Sequence, residues 1–199
     1  FSNPQAVLQD KMIKTSASFE QGDFAAAASS SREILNSSTI ANDKSARMYA
    51  TSVLSLSQFL NGKKSDRIDS VRITKELYSE AKAAGDNTSA AAYINVLLGY
   101  IRSANEKYVY DEVFAGEPFQ TFYATSSSLY SIKNLAEYSV SLHPTTESLY
   151  RIADYYRWIV LNGKSAAERE DALAKTIDTL NKADLVFPSE NKEISGQPF

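Results

Sequence analysis

Apolar residues recur along this chain at steps of three and four, and polar breakers interrupt them at irregular intervals. Read with helix start and stop signals, the pattern predicts eight helices, over about residues 4–21, 24–35, 45–61, 65–84, 88–108, 119–142, 146–161 and 165–187. In the first, Val7, Met12, Ile13 and Ala17 form a modest apolar face behind Asn3 and Pro4, a capping residue and a proline suited to a first turn. Gly22-Asp23 breaks it. In the third, Ala46, Tyr49, Ala50, Val53, Ser57 and Leu60 share a face. The fourth is marked by Ile68, Val71, Tyr78 and Ala81, and Gly85 stands where helices commonly end. The fifth is apolar nearly all round, which predicts a central position. Residues 109–118 read as an irregular connector. His143-Pro144 stops the sixth helix, because proline disfavours helix in the residue before it. The seventh follows Thr145-Thr146, with Thr146 or Thr145 as its cap, and carries Leu149, Ile152, Ala153, Tyr156, Ile159 and Val160 as its core stripe. Ser165 and Glu168 form a capping-box pattern ahead of the eighth, whose expected core face is Leu173, Ile177, Leu180 and Ala183. Pro188 is expected to close it and leave a loose tail, 188–199.

Helices of this length joined by short turns pair as antiparallel hairpins, here four: 4–36, 45–84, 88–142 and 146–187. Leu60-Asn61-Gly62-Lys63 returns as Leu161-Asn162-Gly163-Lys164, and a recurring hairpin is the mark of an α-solenoid. The stretch Phe19-Glu20-Gln21-Gly22-Asp23-Phe24-Ala25-Ala26-Ala27 resembles the turn of a tetratricopeptide repeat, with Ala27 at the small-residue position of the second helix. Ala183-Asp184-Leu185-Val186-Phe187-Pro188 resembles the closing Ala…Pro of that family. Thr15 and Ser18 depart from the family's pattern, and the period drifts from about 40 to above 50 residues instead of about 34. The resemblance is therefore to a degenerate member. It implies an all-α, right-handed solenoid over residues 1–187 as a single domain, with a helical bundle as the structural alternative.

Composition narrows the chemistry. The chain has 199 residues, 43% hydrophobic and 23% charged, enough for a core without staples. It has no cysteine and one histidine, which excludes disulfides, thiolate metal sites, a cysteine nucleophile and multi-histidine centres. A net charge of −3 carries no signature of nucleic-acid binding. No apolar run reaches the length of a membrane-spanning helix. No signal peptide is visible, yet the chain starts at Phe1 without Met. A trimmed tag or a missing targeting segment would explain that start, and a periplasmic or secreted location is favoured over a cytoplasmic one. Any lipid anchor would lie outside these residues. Asn36-Ser37-Ser38 and Asn87-Thr88-Ser89 fit the glycosylation pattern, which chance explains in so serine-rich a chain.

Catalysis has little to work with. His143 reads as a helix-end residue near the negative dipole end. Gly62-Lys63-Lys64-Ser65 and Gly163-Lys164-Ser165 lack the upstream glycine and strand of a phosphate loop. Asp111, Glu112 and Glu117 lack the alternating spacing of a calcium loop. No cofactor or metal is expected. Most aromatic residues lie between positions 93 and 158 and are expected to fill the core. On the seventh helix, however, Arg151, Tyr155 and Trp158 fall at i, i+4 and i+7, off the core stripe. Arginine, tyrosine and tryptophan are the residues enriched at interfaces. In tetratricopeptide proteins the first helix of each hairpin lines the concave groove, so the resemblance implies that Tyr93 and Tyr100 join Arg151, Tyr155 and Trp158 there. The sequence points to a non-enzymatic binding or scaffold module for a peptide, a protein partner or a small apolar ligand. The alternative is a structural or assembly accessory protein, such as a lipoprotein body, whose aromatic face is an oligomer interface.

Overall fold

The computed structural model describes residues 3–37, 40 and 43–195, with side chains as far as residue 187. Among the described residues the chain is all-α, with nine α-helices and a short 3-10 turn. They are α1 (Pro4–Glu20), α2 (Phe24–Leu35), α3 (Lys44–Asn61), α4 (Lys64–Ala83), α5 (Asn87–Ala104), α6 (Lys107–Val113), α7 (Ser128–Leu142), α8 (Thr146–Asn162) and α9 (Ala166–Ser195), with the 3-10 turn at Phe119–Phe122. None of the described helices is long and apolar enough to cross a membrane. The chain divides into two compact units, residues 1–77 with 103–113, and residues 78–102 with 114–199, so α4 and α5 each contribute to both.

In the first unit α2 packs on both α1 and α3. Asn3 accepts the Gln5 amide at 3.0 Å to start α1, and Pro4 follows it. Gly22 takes φ +78°, a left-handed conformation open to glycine at little cost, and Asp23 then caps α2 through the Ala26 amide. Phe19 and Phe24 meet edge-on across this turn at 5.5 Å, and Ala27 is fully buried. The core joins Leu8, Ile34, Ile40, Ala46 and Ala50, with Met12 and Leu35 against it. The expected faces shift here: Val7 and Ile13 of α1 and Leu60 of α3 are exposed, while Leu8, Thr15, Leu54 and Phe59 are buried. Thr15 can be buried because its hydroxyl donates to the Lys11 carbonyl at 2.8 Å. Ser55 ties α3 to α4 by hydrogen bonds to the Ser70 carbonyl and the Thr74 hydroxyl, both 2.9 Å.

The expected fifth helix is interrupted. Asn105 has φ +49°, which asparagine tolerates, and α5 ends before it. Residues expected to form the end of that helix and an irregular connector make α6 instead. Val109 and Val113 are buried on it. Charges then clamp it to α4: Arg67 to Glu106 at 2.6 Å, Arg72 to Glu112 at 2.8 Å, and the Lys75 ammonium to the Glu112 carbonyl at 3.0 Å. Burial pulls the Lys75 pKa below its ordinary value, against the opposing charge of Glu112.

In the second unit α8 packs against both α7 and α9. The expected sixth helix starts late. Residues 119–122 form only the 3-10 turn, and α7 begins after Ser127, whose hydroxyl oxygen accepts the Tyr130 amide. Non-local contacts hold the turn: Phe119 is buried edge-on to Tyr78 at 5.0 Å, and Phe122 stacks on Tyr138 at 4.8 Å. The Tyr78 and Tyr138 hydroxyls meet at 2.6 Å. The last helix departs twice from expectation. Its backbone runs through Pro188 to Ser195, beyond the expected end at 187; a proline removes one backbone bond and leaves the flanking ones. Its buried face is Ala172, Thr176, Thr179 and Ala183, whereas Leu173, Ile177 and Leu180 are exposed.

Candidate functional site

Helix α8 is fixed at its start. Thr145 caps it through the Ser148 amide at 3.3 Å. The Asn95 side chain of α5 holds both residues: its amide donates to the Thr145 hydroxyl at 2.8 Å, and its carbonyl oxygen accepts from Ser148 and, at 3.4 Å, from Ser139. Leu149, Ile152 and Ala153 are buried. The 3.6-residue repeat therefore turns Tyr150, Trp158 and Leu161 outward, and all three are exposed, Trp158 at 47% and Leu161 at 73%.

Arg151 does not reach into solvent as a free cation. Its Nε and Nη2 both donate to Glu147 Oε1 at 2.9 Å, and its Nη1 donates to Asp154 Oδ2 at 3.0 Å. Arg102 of α5 lies 3.9 Å from the same Glu147 oxygen. Two arginines thus face two carboxylates, and the Arg151 guanidinium is held between residues one turn before and one turn after it. Its charge is locally balanced and its side chain is mostly covered.

Tyr155 is half-buried against α7. Its ring lies 5.5 Å from Tyr130 and 5.4 Å from Tyr156. Lys133, itself buried, places its ammonium 4.9 Å from the Tyr130 ring centre and 5.5 Å from that of Tyr155, and pairs with Glu137 Oε2 at 2.8 Å. Burial raises the Tyr155 phenol above its ordinary pKa; the Lys133 charge opposes this, and Tyr130, Tyr156 and Glu168 add to it. Tyr155 therefore stays protonated at neutral pH and forms the wall of an aromatic ledge.

Arg151, Tyr155 and Trp158 lie on adjoining turns of α8, as their spacing requires. Tyr100 is 4% exposed and belongs to the core around α5, and Tyr93 is half-buried. The ledge is built instead from Tyr130 and Lys133 of α7, with Tyr150 and Leu161 extending the outward side of α8. Sequence reasoning missed these four. The signal for Tyr150 and Leu161 was present, since both fall off the Leu149/Tyr156 stripe. Lys133 and Tyr130 depend on a second helix.

The other candidates have local roles. The His143 amide donates to the Ser139 carbonyl at 3.0 Å as the C-cap of α7. Asp111 pairs with Lys107 at 2.6 Å, and Glu117 accepts from Gln120. Among the described residues no three His, Cys, Asp or Glu side chains are grouped as a metal site requires. Compared with protein families, with curated proteins and with solved structures, the chain matches none of them.

Proposed function

We propose that this protein is a non-enzymatic helical interaction module, a degenerate tetratricopeptide-like solenoid, that docks a protein or peptide partner on the outward face of α8. The observation that carries the reading is the sole tryptophan, Trp158, half in water on a helix whose opposite face is buried. Around it stand the exposed Tyr150 and Leu161, the locally neutralised Arg151, and the ledge of Tyr155 and Tyr130. Aromatic anchors beside a preset arginine are what hot spots use, because little side-chain entropy remains to be lost on docking. The Gly22-Asp23 turn with its Phe19–Phe24 contact, and the packing of α2 on α1 and α3 and of α8 on α7 and α9, support the repeat-like architecture.

The test is native mass spectrometry of the protein purified from its own source, beside Trp158→Ala. A co-purifying protein or peptide that the variant loses, with stability lowered by less than about 1 kcal/mol, is the expected result. A fall in stability of several kcal/mol with the partner retained would make Trp158 a packing residue and overturn the reading. A homo-oligomer that Trp158→Ala dissociates would assign the face to subunit assembly, the second class of function.

A further inference from the structure

Helix α9 presents a second unpartnered surface, distinct from the face of α8. Its small residues Ala172, Thr176, Thr179 and Ala183 are buried in the packed unit. Its bulky residues Leu173, Ile177, Leu180 and Phe187 are exposed, at 48, 52, 38 and 52%. They fall at steps of four, three and seven, the register of a coiled-coil seam, with Asp184 in the position between Leu180 and Phe187. A contiguous apolar stripe of this kind marks an interaction site.

The charges of the helix say what covers it. Arg169 donates to the Gly163 carbonyl at 2.7 Å, and Glu168 accepts the Lys164 amide at 2.7 Å. Asp171 pairs with Lys175, and Asp178 with Lys182, each at 2.7 Å. Glu170 and Asp184 remain, both exposed and without an ion pair or hydrogen bond among the described residues. They lie on the line of the stripe, seven residues to either side of Ile177 and about 21 Å apart along the axis, Asp184 between Leu180 and Phe187. We propose that the exposed face of α9 seats an amphipathic helix of a protein partner, apolar along one stripe and carrying Lys or Arg opposite Glu170 and Asp184. A second copy fits worse. A parallel pair sets each acid against its own twin, and an antiparallel pair centred on Ile177 sets Asp184 against Glu170 twice. An anionic lipid surface is disfavoured by the same two acids, since helices that lie on membranes carry basic flanks.

The experiment uses the full chain and two fluorescein-labelled helical peptides of about 21 residues, matched to the length of the contact. Both carry leucine at the seam positions, one with lysine and the other with glutamate at the positions opposite Glu170 and Asp184. In fluorescence anisotropy the lysine peptide should bind roughly tenfold more tightly than its glutamate twin, the sum of two exposed ion pairs. Glu170→Lys with Asp184→Lys should reverse that preference. Ile177→Asp should abolish binding with the circular dichroism spectrum unchanged, because the site is half in water. Trp158→Ala should leave peptide binding intact, which separates this proposal from the reading of α8. Equal affinity for the twins, binding of neither, or binding that survives Ile177→Asp overturns it. So does a dimer in sedimentation that Ile177→Asp dissociates, which assigns the face to a second copy. Binding to phosphatidylserine–phosphatidylcholine vesicles that the same variant loses assigns it to lipid and also overturns it.

Discussion

The inverted face of α9 makes a quantitative prediction opposite to the one that apolar periodicity suggests. If Leu180 were core, Leu180→Ala would cost about 2–5 kcal/mol through lost burial and a cavity. At 38% exposure no closed cavity forms. Only part of a burial worth about 2 kcal/mol is then lost, leaving roughly 1 kcal/mol. Ala183 is fully buried, and the same substitution in reverse, Ala183→Leu, forces a branched side chain into a close helix contact at a cost of about 1–3 kcal/mol or more. Thr176 and Thr179 explain why that contact tolerates polar residues. Their hydroxyls donate to the Ala172 and Lys175 carbonyls at 2.8 and 2.7 Å, so only their methyl groups face the packing. Equilibrium urea unfolding is the assay, followed by Trp158 fluorescence, which reports the unit containing α8 and α9, and by circular dichroism in parallel. With slopes of about 1–3 kcal/mol per molar urea, Ala183→Leu should lower the midpoint clearly more than Leu180→Ala. A loss of 3 kcal/mol or more for Leu180→Ala (on the order of a buried leucine), or a neutral Ala183→Leu, refutes the assignment of the faces.

Four further outcomes follow from local geometry. Gly62 has φ +87° with only ordinary contacts at 3.7 Å or more, so Gly62→Ala should cost about 1 kcal/mol and Gly62→Asn less in urea unfolding. Gly163 has φ −61°, and an added Cβ would meet the Ile159 carbonyl at 2.7 Å, so asparagine should be no better than alanine there. Burial, and then the hydrogen bond to Tyr138, push the Tyr78 phenol far above its ordinary value near 10. Its contribution to stability is complete below pH ~10 and is lost as pH rises, because the unfolded chain ionises first. Tyr78→Phe should therefore flatten the alkaline fall in unfolding free energy, and identical alkaline slopes would refute this. Lys133→Met should cost about 1 kcal/mol, the loss of contacts to two rings, since Glu137 is exposed enough to be hydrated without its partner. An unchanged midpoint would remove Lys133 from the ledge's support.

What could be read from the sequence, and what could not, divides by the distance over which the determinants act. The caps at Asn3, Thr145 and Ser165 are decided within four residues, and each forms. The arrangement of Arg151, Tyr155 and Trp158 is decided by one helix's own repeat. Helix α6 is different. Seven residues do not sustain a helix alone, and this one rests on buried valines and on α4 charges some 40 positions away. The twin tetrapeptides at 60–63 and 161–164 show the same limit in the backbone. Identical residues end one helix in the left-handed region and the other in extended chain. Glycine serves in one case for its φ and in the other for the closeness of the Ile159 carbonyl. A sequence records that a side chain is absent, not which neighbour requires it to be.

The face of α9 carries this furthest. Periodicity detects that a helix has an apolar stripe, but two stripes compete here, Leu173/Ile177/Leu180 and Ala172/Thr176/Thr179/Ala183. The bulky one buries more area per residue, so it reads as core. The small one lets helix axes approach and satisfies its own hydroxyls, and in this unit it is the one that is buried. Within the second unit that choice leaves the larger hydrophobic gain uncollected. An unspent gain of this kind is where a binding reading has physical content, because it becomes available when another helix arrives. The two uncompensated acids, Glu170 and Asp184, add a sign to it. Local rules fail at sites that serve something other than the fold of the chain itself, and in this protein they fail on the same helix turns where charge and apolar surface are both left without a partner.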